Sequence, residues 1–428
     1  MNKNKKIIEK VKTAVIITLI ISMFIFGWYS NLFDEFFNRV PVFGTIGNLT
    51  GAMPSDDFSG MLEMEAARPL GIIITHDDGR RLGVRYNTEL RNVIYDWTAG
   101  IVGEALGSMS EPIRVNQAEW RHAITSPGVF FEYINPIGLS ILNAWLGAGI
   151  FHLEEEIYVR RIFVSFGDDR NKLFFKNAKS GDLYSAETAS FARKAPELET
   201  LQTNDALFAF ETGIAASEFA PYMIIIPDVL HPNVVVMSAG TAEELLNYVR
   251  NAFGHGREPE RRYQDGDTLV SVGAHFNIRV EADGRVLYRR TDGYPSIDSE
   301  YTATLVEHIE KARLVVSSTI GRTAGSADAF FQSAFAYDER RTYITFGYYI
   351  AGGRVRLPDE MYAARFVFLA GHIIEAELLF LSYSIAEEST RLLPELMTLA
   401  AAGGEFMLVF AESEADVLMP AWSKVAER

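Results

Sequence analysis

The chain of 428 residues contains no cysteine. That excludes disulfides, thiolate catalysis and any cysteine-held zinc or iron–sulfur centre. Its eight histidines are His76, His122, His152, His231, His255, His275, His308 and His372, and no two share the i, i+4 spacing that one helix face presents to a metal. They read as ordinary surface or core histidines. There is no G-x-S-x-G elbow, no P-loop and no G-x-G-x-x-G following a strand. The nearest glycine series, Gly100, Gly103 and Gly107, falls inside an apolar helical pattern, where close packing explains it better than phosphate binding. Neither cofactor nor metal is expected.

Acidic clusters offer no constellation either. Glu154, Glu155 and Glu156 are adjacent in sequence, as are Asp56 and Asp57, so their carboxylates diverge and read as solvated faces. "QDGDT" lacks the oxygen positions of a calcium loop. Carboxylates distant in sequence are free to meet in a cleft, and that leaves a hydrolase as an alternative. The Asn48 sequon carries no weight without a eukaryotic secretory context.

What the sequence does have is a long apolar run near its start. Lys3, Lys5, Lys6, Lys10 and Lys12 face a single Glu9, and no charge occurs from Thr13 to Tyr29. Residues 13–33 make a helix of about 31 Å, which matches a bilayer core of roughly 30 Å. A secretory signal is shorter and ends at a small-residue cleavage site, whereas this run ends in Trp28, Tyr29 and Asn31. The expectation is a retained single-pass anchor in the plasma membrane. It has a cytoplasmic basic tail over 1–12, a membrane helix over 13–33 and everything beyond Phe33 outside. Ala14, Thr18 and Ser22 recur every four residues and form a stripe of small side chains, the candidate partner interface within the membrane.

The chain carries −16 and its first 33 residues +4, so the remaining 395 carry −20. Such an exterior argues against nucleic acid and against docking flat on anionic lipid. Hydrophobic content of 48% is enough for packed cores, and an external region without disulfides must rely on them.

Periodicity extends the anchor helix to about Arg39, and Pro41 stops it. Residues 34–66 read as a helix end and linker rich in Gly and Pro. The first external domain is expected over 67–152. It opens with a hairpin about Asp78-Gly79 and continues with a helix capped by Thr88. A middle domain is expected over 153–264, closing with a helix capped by Thr241. The polar stretch 255–267 reads as its boundary with a last domain over 265–428. That domain begins with a hairpin about Asp283-Gly284, followed by a helix near 298–318. Clustered strands and few helices predict an α+β fold of two to three domains with largely antiparallel sheets. The aromatic group Tyr337, Tyr343, Phe346, Tyr348 and Tyr349 reads as strand residues rather than a binding face.

Three segments carry a family likeness: "EWRHAITSPGVFFEYINPIGLSILNAWLG" (119–147), "FAYDERRTYITFGYYIAGGRVRL" with "RLLPELMTLAA", and the closing "LVFAESEADVLMPAW". With the anchor and the cysteine-free exterior, they resemble the YycH/YycI family of low-GC Gram-positive bacteria. The resemblance implies a non-enzymatic, membrane-anchored regulator of the WalK/YycG two-component sensor histidine kinase, which controls cell-wall metabolism. It further implies association with that kinase and with a second, YycI-like regulator through the membrane helices. A wall- or solute-binding ectodomain merely tethered by its helix is the other alternative.

Overall fold

The computed structural model describes residues 63–147, 155–167, 170–189, 201–227, 229–291, 304–336, 341–358, 361–414 and 416–425. The expected anchor, its Ala14, Thr18 and Ser22 stripe and most of the linker lie outside these. Among the described residues no helix is long and apolar enough to cross a membrane.

After a short helix, α1 (Glu63–Ala66), the chain enters a seven-stranded sheet. Its strands are β1 (Gly71–Thr75), β2 (Arg81–Val84), β3 (Ile113–Val115), β4 (Gly128–Gly138), β5 (Tyr158–Ser165), β6 (Lys172–Asn177) and β7 (Leu183–Glu187), in the order β2-β1-β4-β5-β6-β7-β3. The β1–β2 hairpin turns at Gly79, where φ of +80° suits a residue without a Cβ. "GIIIT", "VFF" and "IFV" are continuous apolar runs because both faces are covered. Ile72, Ile74, Val129, Phe131, Ile162 and Val164 face one core, while Ile73, Phe130, Phe163 and Phe174 face another with Trp120 and Phe208. The first core holds helix α2 (Thr88–Gly107), buried through Ile94, Val102 and Leu106, and the second holds α3 (Gln117–Thr125). Asn87, rather than Thr88, caps α2: its Oδ1 accepts from Leu90 N at 3.0 Å. Thr88 is the first helical residue. Gly103 lets α2 approach the end of α4 (Leu139–Trp145), since a Cβ there would lie 3.0 Å from Leu146 O.

A two-stranded ladder, β8 (Leu207–Phe208) with β9 (Ile224–Ile225), covers the second core. Thirteen further strands form one large sheet. They are β10 (His231–Ser238), β11 (Glu260–Asp265), β12 (Thr268–Gly273), β13 (Phe276–Val280), β14 (Arg285–Arg290), β15 (Asp328–Ala336), β16 (Arg341–Ile350), β17 (Gly353–Val355), β18 (Ala364–Leu369), β19 (His372–Leu379), β20 (Leu381–Thr390), β21 (Phe406–Glu414) and β22 (Val417–Lys424). The order is β11-β12-β13-β14-β19-β18-β16-β17-β21-β22-β10-β20, with β15 paired to β16 off this path. All its strand pairs are antiparallel except β17–β21. Helices α5 (Ala242–Ala252) and α6 (Leu305–Ser318) bury Leu246, Val249, Ile309 and Val315 in the main core, and both begin with capping boxes, Thr241 with Glu244 and Thr304 with Glu307. Two short helices, α7 (Ile320–Thr323) and α8 (Glu395–Ala402), complete the α-helices of the described residues.

The expected class, α+β with mostly antiparallel sheets and few helices, is the class observed. The boundaries drawn within it are crossed by strand pairing. Strands β5 to β7 of the region 153–264 join the sheet of the preceding region, and β10 joins the large sheet. The stretch 255–267 contains edge strand β11, whose residues Glu260 to Asp265 pair with β12. "ERRYQD" shows no alternation because Arg261 to Asp265 are all exposed. Phe346, Tyr348 and Tyr349 are core residues of β16, as a strand reading requires.

Candidate functional site

Single charges inside apolar strands mark the place where the two sheets meet. Arg85 follows β2, Glu132 sits mid-β4, Arg160 and Arg161 lie in β5, Glu395 opens α8, and Glu405 precedes β21. Glu132 is 1% exposed, and its two oxygens are shared out. Oε1 accepts from Arg161 Nε at 2.9 Å and Nη2 at 2.7 Å, and Oε2 accepts from Arg85 Nη2. Arg161 Nη2 also reaches Glu405 Oε1 at 2.6 Å, which Arg160 Nη2 approaches to 2.8 Å. Arg85 Nη1 lies 3.7 Å from Glu395 Oε1. Glu395 accepts from the Tyr86 hydroxyl and, at 2.5 Å, from Ile226 N. Six charges thereby link the first sheet to α8 and β21.

Burial pushes all three carboxyls up, and their neighbours decide the outcome. At Glu132 and Glu405 the surrounding arginines outweigh burial, and both stay below the usual carboxylate range. At Glu395 burial prevails over Arg85, Tyr86 and Ile226 N, with Glu132 adding repulsion, so its pKa is raised. The Tyr86 hydroxyl is pushed well up, by burial first and by Glu395 second. His231, 2% exposed, stands edge-on to Tyr86 at 4.7 Å and to Trp422 at 5.3 Å between ring centroids. Burial lowers its pKa to about 4, so it is neutral at physiological pH. Trp422 Nε1 donates to Leu393 O at 2.8 Å, tying the loop before α8 to β22.

Carboxylates from distant segments do converge here, but each is matched by arginine, hydroxyl or amide donors. Glycosidic chemistry needs an acid–base pair flanking a substrate-sized space. This arrangement holds two sheets in register. A cavity of about 10 Å³ lined by Trp145, Arg313 and Phe331, among others, has room for about one water. Two of its lining residues share a partner: Glu310 accepts from Trp145 Nε1 at 3.0 Å and from Arg313.

Of the other acids singled out in the sequence, Glu155 is exposed and Glu156 caps α4 by accepting from Ser140 N at 3.0 Å, while Asp56, Asp57 and Glu154 lie outside the described residues. Among the described residues, no group of three or more His, Asp or Glu could hold a metal. Sequence reasoning missed the six-charge cluster altogether. The available signal was a lone charge within a buried strand, as in "VFFEYI" and "VRRIFV".

No family model matches the sequence, and no curated protein matches it. Among solved structures, the crystal structure of YycH from Bacillus subtilis is similar, with a TM-score of 0.52 over 85% of this chain and 95% of that one. Identity across the match is 11%, so the likeness is one of fold.

Proposed function

We propose that this chain is a membrane-anchored, non-enzymatic regulator of a sensor histidine kinase of the WalK/YycG type. The fold likeness to YycH carries the proposal, because it spans 85% of this chain and nearly the whole of the other. The YycH/YycI-like segments at 119–147 and in the C-terminal region support it from sequence. In this reading residues 13–33 form a single-pass anchor in the plasma membrane with the N-terminus cytoplasmic. The Ala14, Thr18 and Ser22 stripe meets a membrane helix of the kinase or of a second, YycI-like regulator. The folded external region passes its state inward through that contact to adjust control of cell-wall metabolism.

The test is co-purification of membrane partners with the full chain in mild detergent, repeated after exchanging residues 13–33 for an unrelated membrane helix. A regulator loses its kinase on exchange, whereas a tethered binding domain keeps its function. Retention of the partner and of normal signalling after the exchange would overturn the interface. Absence of any sensor kinase from the native complex would overturn the assignment.

A further inference from the structure

The strands that end the two sheet orders are closed to different degrees. On the outer side of β2, Asn204 N donates to Arg81 O at 3.0 Å, and the Asn204 side chain accepts from Gly83 N at 2.8 Å and donates to Gly83 O at 2.7 Å. β20 is bonded through Tyr383 to Ala324 and Ser326, and its register against β10 breaks between Ile385 and Ser389. β3 has three residues. β11 is regular from Glu260 to Asp265, and among the described residues nothing pairs with its outer side. Its hairpin with β12 closes on Asp265 and Thr268 around Gly266-Asp267. In a two-residue hairpin the closing pair exchanges N–H···O bonds and the pattern then alternates. Asp265, Tyr263 and Arg261 therefore bond to β12, and the backbone groups of Glu260, Arg262 and Gln264 point away from the sheet. Natural edges are blunted by bulges or by charge. β11 has no bulge, and its charges are of both signs.

Its side chains sort to two faces. Arg262 pairs with Glu260 and with Glu243 of α5. Arg261, Tyr263 and Asp265 lie on the opposite face, where Arg279 Nη2 approaches Asp265 Oδ2 at 3.4 Å. Tyr263 is 52% exposed.

We propose that β11 is a self-association edge, which pairs antiparallel with β11 of a second copy about a two-fold axis through Tyr263. Arg262 and Gln264 of each copy exchange N–H···O bonds with Gln264 and Arg262 of the other, and Tyr263 stands beside its own image. Arg261 of each copy falls opposite Asp265 of the other, and opposite charges directly across a ladder stabilise it. A two-fold interface requires this self-complementarity. Registers centred on Arg261 or Arg262 set arginine against itself, and one centred on Gln264 pushes Arg261 out to the turn. The segment 257–267 carries three arginines and four acids, so the edge is nearly neutral on a chain of −16. Repulsion between the net charges of two copies is screened beyond about 8 Å at physiological ionic strength. An interface built on one strand is small and belongs to the transient class. The pairing requires neither the anchor nor a kinase.

The absence of cysteine makes the register measurable by oxidation of the full chain in mild detergent. Tyr263→Cys places a thiol on the axis, in a non-hydrogen-bonded pair whose Cα atoms lie about 4.5 Å apart, within disulfide range. It is expected to form a linked dimer many times faster than Ser180→Cys on an exposed turn. Arg261→Cys and Asp265→Cys should remain single when oxidised alone and link to each other when mixed. Without cysteine, Arg261→Asp or Asp265→Arg alone sets like charges across both ends of the ladder. Each should weaken association in sedimentation equilibrium by on the order of tenfold. Mixing these two variants should restore it, since each then offers the other its opposite charge, and that recovery shows that both fold. Cross-linking at 263 no faster than at 180 overturns the proposal. So does an Arg261→Asp chain that associates as the unaltered chain does, the result expected of a dimer made through any other surface. Arg261→Cys linking to itself shows another register and overturns it equally. A disulfide from residue 263 to a different polypeptide in native membranes assigns the edge to that protein and overturns it as well.

Discussion

Replacing Glu132 by alanine removes the carboxylate that pairs both Arg85 and Arg161. Arg85 is then left with Glu395 at 3.7 Å, and Arg161 with Glu405 alone, at 2.6 Å. Both guanidiniums stay buried, with side chains 5% and 9% exposed. Breaking a buried pair on one side costs about 3–5 kcal/mol. That is a large share of a total stability of about 5–15 kcal/mol. In urea, with a slope of about 3 kcal/mol per molar for a body this large, the unfolding midpoint should fall by about 1–1.7 M. The contrast that isolates electrostatics is the triple change Arg85→Met, Glu132→Leu and Arg161→Met. It removes the charges together, leaves Glu405 with Arg160 at 2.8 Å and leaves Glu395 with Tyr86 and Ile226 N. It should cost less than Glu132→Ala alone, since concerted apolar replacement of a buried network is often neutral. Tryptophan emission during equilibrium unfolding reads both. If Glu132→Ala costs under about 1 kcal/mol, or the triple variant costs more than the single one, the cluster does not hold the two sheets as argued.

Further outcomes follow from the same geometry. His231 and His308 are neutral when folded, with pKa values lowered from 6.5 to about 4, so their contribution is present above pH 6.5 and lost as pH falls toward 4; His231→Phe should flatten that limb of a stability–pH curve. Glu132 and Glu405 act in the same direction at lower pH, their contribution being lost below about 4.5. Glu395 has the opposite sign, its share being present below 4.5 and lost as pH rises through its raised pKa. Glu395→Gln should therefore leave a chain whose urea midpoint falls less as pH is raised from 4.5. Gly352 has φ of +76°, and a Cβ there would lie 2.7 Å from the Tyr86 ring and 2.8 Å from Arg85 O, so Gly352→Ala should cost about 1–3 kcal/mol; an unchanged midpoint would refute the close approach. Intact mass of the membrane fraction should show a chain retaining residues 1–33, and a mature N-terminus beyond Tyr29 would remove the anchor.

The elements legible in the sequence are those whose signal is local. Thr241 and Thr304 each precede a glutamate three residues on, and both boxes form. Asp78-Gly79 and Asp283-Gly284 turn the expected hairpins because glycine accepts a positive φ. Pairing partners are not local. β5 begins twenty residues after the end of β4 yet pairs with it, and nothing in "YVRRIFVS" names its neighbour. β11 was hidden because edge-strand residues exposed on both faces need no apolar alternation. The candidate site was hidden for a third reason. Arg85 and Glu395 are 310 residues apart, and a charge within an apolar run reveals a buried partner without saying which one.

The same site explains why α8 faces the way it does. Its sequence, "ELMTLAAA", is apolar around most of its circumference and would by hydrophobicity alone turn Leu396 and Met397 inward. Leaving Leu396 38% and Met397 59% exposed forgoes part of the about 1.5–3 kcal/mol that full burial of each would contribute. Against that stands Glu395, buried in the first turn. It accepts from Tyr86 and Ile226 N, has Arg85 nearby, and lies at the end of the helix where the macrodipole favours an anion. Rotating α8 to bury Leu396 and Met397 would turn the buried Leu399 away from the core, strip the carboxylate of these partners, and leave Arg85 with Glu132 alone. A buried charge without partners costs several kcal/mol, so the carboxylate sets the helix orientation and the apolar face is held outward. Whatever weakens the Glu395 contacts thus acts on two things at once, the seam between the sheets and the outward turn of Leu396 and Met397.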